Sequence, residues 1–132
     1  MVDRRASQNS ANKHILVCDD VEDNCYFLQI ILELEGYTVD TVNSGEAVLA
    51  KLEVETFDLL LLDVMMPGMN GYEVAFRVQQ NPDCQSLPII LITAHEQGLV
   101  EEECKVRVDG ILRKPVDPET LLAQVQAILQ HT

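Results

Sequence analysis

Four carboxylates fall within five residues, at Asp19, Asp20, Glu22 and Asp23, directly after the apolar run Ile15–Cys18. Two such charges about 4 Å apart repel by roughly 4 kcal/mol at an effective dielectric near 20, a large cost for a small domain. A fold that gathers them needs a cation, and without one a clustered carboxylate should have a raised pKa. Asp63 and Thr93 each stand at the end of another apolar run, and Lys114 follows the short stretch Gly110–Leu112, after Arg113. Carboxylate, carbonyl and water oxygens form the shell that Mg²⁺ prefers. A carboxylate kept ionised by such a cation can attack phosphorus. An ammonium and a hydroxyl are the right groups to neutralise charge on the transferring phosphoryl oxygens. These residue types together allow Mg²⁺-dependent phosphoryl transfer to Asp63, with Thr93 and Lys114 assisting.

That chemistry needs the residues to meet, and the pattern between them says how. Ile15–Cys18, Leu59–Leu62 and Ile89–Ile92 are continuous four-residue apolar runs, the mark of strands covered on both faces. Thr38–Val42 alternates and Gly110–Leu112 is short, which suits edge strands. Helical spacing follows each strand. Phe27, Ile30, Ile31 and Leu34 form a first stripe that stops at Gly36, and Ser44 is placed to cap a second helix carrying Ala47, Val48 and Leu52. Val74, Ala75 and Val78 form a third stripe after Gly71. Asp117 and Pro118 start a last helix with Leu121, Leu122, Val125, Ile128 and Leu129. A weaker helix is expected between His95 and Arg107.

Strand and helix alternate five times, which predicts an α/β fold: a flavodoxin-like, doubly wound, five-stranded parallel sheet of order 2-1-3-4-5 with five flanking helices. In such a sheet the site lies beyond the carboxyl ends of the strands, where Asp19, Asp20, Asp63, Thr93 and Lys114 all fall.

The 132 residues suffice for one domain, expected over residues 13–132, and the polar segment 1–12 is read as a flexible N-terminal arm. No secretory leader or apolar span is evident, so the chain is expected in the cytoplasm. Nine basic against 22 acidic residues give a net charge of -13, the wrong sign for nucleic acid or an anionic membrane. The four cysteines show no metal spacing and read as structural thiols, and the three histidines read as surface or packing residues.

The Asp19-Asp20 pair, DVMMPGMNG from Asp63 to Gly71, Thr93-Ala94 and Lys114-Pro115 together resemble the receiver domain of two-component response regulators, over about residues 13 to 130. The resemblance implies that Asp63 is the phosphoacceptor for a histidine kinase or phosphotransfer protein. It also implies that Asp20, Asp63 and the Met65 backbone carbonyl bind Mg²⁺ directly, with Asp19 helping through water. Thr93 and Lys114 would then contact the phosphoryl group, and the output would be altered binding to a downstream protein target. Since the chain ends within the last helix, a stand-alone receiver is expected, not an enzyme beyond its own phosphorylation and dephosphorylation.

Several positions depart from that pattern. Ile111 stands where receivers usually carry a switch aromatic, and Arg107-Val108-Asp109-Gly110 replaces a familiar Gly-Ala-Asp-Asp. The last helix has no charge after Glu119. A homodimer, or a dock for kinase or effector, is therefore expected through the face made by the helix before strand 5, strand 5 and the last helix. A phosphorylation-independent interaction module is the alternative reading. Two other rivals fit less well: a flavin carrier, whose phosphate the acidic loop would repel, and an aspartate-nucleophile phosphatase, which needs an acid where Met65 stands.

Overall fold

The computed structural model describes residues 13–94 and 106–130. Five strands, β1 (His14–Cys18), β2 (Thr38–Val42), β3 (Leu59–Asp63), β4 (Ile89–Thr93) and β5 (Gly110–Arg113), alternate with helices α1 (Glu22–Leu34), α2 (Gly45–Val54), α3 (Gly71–Gln80) and α4 (Pro118–Leu129). All strand pairs are parallel and the sheet order is β2-β1-β3-β4-β5. This is the expected doubly wound fold. Four helices are described; the weakly patterned fifth and the N-terminal arm fall outside the described residues.

β3 and β4 are buried along their whole length and β1 from its second residue, as continuous apolar runs require. Because side chains alternate across a strand, they feed two separate cores. Ile15, Val17, Leu59, Leu61, Ile90 and Ile92 pack with α1 and α4, through Leu28, Leu32, Leu121 and Val125. Leu16, Cys18, Leu60, Leu62, Ile89 and Leu91 pack with α2 and α3, through Val48, Val74, Ala75 and Val78. Burying one such leucine or isoleucine contributes about 2 kcal/mol relative to leaving it in water.

The helix boundaries follow their caps. Ser44 Oγ accepts from Ala47 N–H at the start of α2, and Asn70 and Glu73 form a reciprocal capping box on α3. Asp117 caps α4 by accepting from Thr120 N–H, with Pro118 at its first position. Gly36 follows α1 at φ 98°, the left-handed conformation that terminates a helix cheaply only with glycine.

One stripe is corrected. α1 buries Cys25, Leu28 and Leu32, whereas Phe27, Ile30 and Leu34 are 44%, 40% and 80% exposed. The helix is apolar on two faces, so periodicity alone could not choose the one that meets the sheet. Among the described residues, four of the eight large exposed apolar side chains lie on α1, the rest fall at Val21, Val54, Met65 and Phe76, and β5 and α4 contribute none. Ile111, Leu122 and Ile128 are half-buried, the latter two against the core. The described part of the β5 and α4 face is thus not an exposed apolar patch.

Candidate functional site

Register brings the polar strand ends together. Cys18 pairs with Leu62, Asp63 with Ile92, and Thr93 with Arg113, so β1, β3, β4 and β5 stop at nearly one level. The residues at or just past those ends are Asp19, Asp20, Asp63, Thr93 and Lys114. The parallel ladder runs one residue beyond β5, with Lys114 N–H donating to Thr93 O at 2.9 Å, and this holds the lysine over the rim.

Asp19 and Asp63 are each 1% exposed and Thr93 is buried, while Asp20 is exposed. The three aspartates each offer a carboxylate oxygen within 4.8 Å of the others. Lys114 Nζ lies 3.0 Å from Asp63 Oδ1 and 3.4 Å from Asp19 Oδ2, so one ammonium from β5 serves carboxylates following β1 and ending β3. Asp63 Oδ2 is buried with no protein hydrogen-bond donor. Burial, and then the charges of Asp19 and Asp20, push the Asp63 carboxyl above its ordinary range despite the opposing pull of Lys114. Lys114 is raised in turn: burial disfavours its charge, but the pairing with Asp63 and Asp19 outweighs it. Three carboxylates against one ammonium, with a buried oxygen lacking a donor, form a donor set that fits a hard divalent cation.

Asn24, which sequence reasoning did not single out, and Gly71, whose close packing it did not foresee, hold this geometry. Asn24, in the first turn of α1, donates to Asp19 Oδ2 at 3.2 Å, while Val21 N–H donates to Asp19 Oδ1 at 2.8 Å. A lone amide among acids one helical turn past the aspartate pair was the available signal. Gly71 matters through close approach: its N–H donates to Val64 O at 2.9 Å, and a Cβ there would lie 2.5 Å from the Asp63 carbonyl oxygen and 2.8 Å from Val64 Cα. Only glycine lets α3 begin against the end of β3. Met65 has its side chain 59% exposed, and Met66 turns inward to meet Cys18 Sγ at 3.5 Å.

A cleft of about 390 Å³ opens beside the rim, walled by Phe27, Leu28, Ile92, Pro115 and Val116, with Asp19, Asn24 and Lys114 at its polar end. It joins the acidic pocket to the exposed apolar side of α1.

The response regulator receiver domain pattern matches residues 15–126. This chain belongs to the response regulator receiver family. It is 38% identical over 122 residues to the alkaline phosphatase synthesis transcriptional regulatory protein PhoP of Bacillus subtilis, covering 92% of this chain and 50% of that protein. It is 36% identical over 125 residues to the probable transcriptional regulator ycf27 of Cyanidium caldarium, covering 94% and 49%. The receiver thus spans about half the length of these curated relatives. Among solved structures, chemotaxis response regulator CheY4 of Vibrio cholerae superposes with a TM-score of 0.82 at 32% identity, covering 88% of this chain and 98% of that one. The receiver domain of a Syntrophus aciditrophicus signal transduction histidine kinase gives a TM-score of 0.83 at 27% identity, covering 91% and 92%.

Proposed function

We propose that Asp63 accepts a phosphoryl group from the phosphohistidine of a sensor histidine kinase or phosphotransfer protein, and that the receiver signals by changed binding to a downstream protein in the cytoplasm. The observation that carries this is the buried, donor-free Asp63 Oδ2 inside a ring of like charge. An Asp63 oxygen forms the new O–P bond as the P–N bond to the donor imidazole breaks. Asp20, Asp63 and the Met65 carbonyl would hold Mg²⁺, with Asp19 contributing through water. When bound, that ion neutralises charge on the transferring phosphoryl group. Lys114 already bridges Asp63 and Asp19 and is within reach of a phosphoryl oxygen on Asp63, while the Thr93 hydroxyl sits on the neighbouring strand end as a donor.

The exposed Tyr26, Phe27, Ile30 and Leu34 support α1 as the face on which a partner docks, since Phe27 lines the cleft that opens onto Asp19 and Lys114. An isologous homodimer on the same face is a second use that sedimentation would reveal.

The test is intact-mass spectrometry after incubation with acetyl phosphate and Mg²⁺. The wild type is expected to gain one phosphoryl group, and Asp63→Asn none. No gain in the wild type would replace this reading with the phosphorylation-independent module, and an equal gain in Asp63→Asn would move the acceptor to another residue.

A further inference from the structure

A second set of ligating side chains lies at the opposite end of β1 from the acidic pocket. His14 opens β1, Asp40 is the middle residue of β2, and Glu55 is the C-terminal cap of α2. The imidazole and the two carboxylates each offer an atom within 4.8 Å of the others, and His14 Nε2 is 2.9 Å from Asp40 Oδ2. Their side chains are 26%, 34% and 38% exposed, so an ion from solvent can reach all three.

The His14 backbone is fixed by a reciprocal pair with Asp58, and its ring rests against Phe57. His14 N–H donates to Asp58 Oδ2 at 2.7 Å, Asp58 N–H donates back to His14 O at 2.7 Å, and the ring lies 4.2 Å from that of Phe57. A cation already occupies the gap between the carboxylates: Lys51 Nζ is 3.2 Å from Glu55 Oε1 and 3.8 Å from Asp40 Oδ2. That ammonium pairs with the two carboxylates, and its side chain is 32% exposed. A divalent ion carries twice the charge and can take the nitrogen together with both carboxylates.

We propose that His14, Asp40 and Glu55 form a second cation site, selective for a borderline transition metal such as Zn²⁺ or Co²⁺, with Lys51 as its built-in competitor. One imidazole and two carboxylates suit such ions, whereas Mg²⁺ prefers oxygen alone. The net charge of -13 raises the local concentration of any cation. Nothing in this inference depends on Asp63 or its chemistry.

Co²⁺ is the probe, added to the full, untagged chain with excess Mg²⁺ to fill the acidic pocket, and followed by visible absorption and calorimetry. One Co²⁺ per chain with a nitrogen and oxygen ligand spectrum is expected. His14→Ala should weaken binding by at least about tenfold. Lys51→Met should tighten it about threefold by removing the competing ammonium. The proposal is overturned by absence of binding, by a thiolate charge-transfer band showing a cysteine site, or by equal affinity in His14→Ala. Should His14→Ala fail to fold, Lys51→Met decides alone: unchanged or weaker affinity there sinks the site.

Discussion

The rim around Asp63 and the segment leading into β5 treat charge in opposite ways. At the rim, three carboxylates share one ammonium, and a buried oxygen has no donor. Around Arg107 nearly every polar group is answered. Its guanidinium donates to Asp109 and to the carbonyls of Gln85 and Leu87 at 3.0 and 3.1 Å. Gln79 closes a reciprocal pair with the Arg107 backbone, and Asp109 accepts from Ile89 N–H at 2.8 Å while its own N–H donates to Ile89 O. One region is built to hold shape, and the other holds an excess of negative charge that a divalent cation would offset. The contrast separates a segment whose polar groups are paired from a pocket whose charge is not.

The sharpest way to break the contrast is to disturb the one place where packing and chemistry meet. Gly71→Ala puts a methyl group into the backbone of Asp63 and Val64, and overpacking of that kind should cost about 3 kcal/mol in urea unfolding. A near-neutral result would mean that α3 is not pinned to the end of β3. Next in size, Asp109→Ala leaves Ile89 N–H and the Arg107 guanidinium short of an acceptor, with an expected loss of about 2 kcal/mol and no change in Mg²⁺ affinity by calorimetry.

The smallest effect has the opposite sign. Asp63→Asn should raise the melting midpoint in Mg²⁺-free buffer at neutral pH by about 4 °C, the size of a ~1 kcal/mol gain. Because the folded-state pKa of Asp63 lies above the ordinary 3.8, the folded chain keeps this proton where the unfolded chain has lost it. Its stability contribution is therefore greatest below about 3.8 and is lost as pH rises through the folded value. The advantage of the asparagine variant should vanish at the acid end of that window and at saturating Mg²⁺. Destabilisation by Asp63→Asn in Mg²⁺-free buffer at neutral pH would show that the Lys114 pair outweighs burial.

Strand positions, sheet order, the caps at Ser44 and Asp117, and the convergence of Asp19, Asp20, Asp63, Thr93 and Lys114 were legible in the sequence, because unbroken apolar runs and polar strand ends each have one physical meaning in a parallel sheet. Two things were not. The buried stripe of α1 was misread because the helix offers an apolar residue on either side, and only contact with β1 decides between Leu28 and Phe27. The hydrogen bonds of Arg107 were invisible because they run to backbone carbonyls at Gln85 and Leu87, positions whose side chains carry no sign of it. The departure at Arg107 to Gly110 was noticed as an anomaly, and it proves to be a compact brace between α3, β4 and β5.

Because neighbouring leucines of β3 enter different cores, the sheet works as a party wall between two rooms. Substitutions on the helices of opposite rooms share no partner, so their costs should add. Furniture can be changed on the α2 and α3 side while the α1 and α4 side stays as it was.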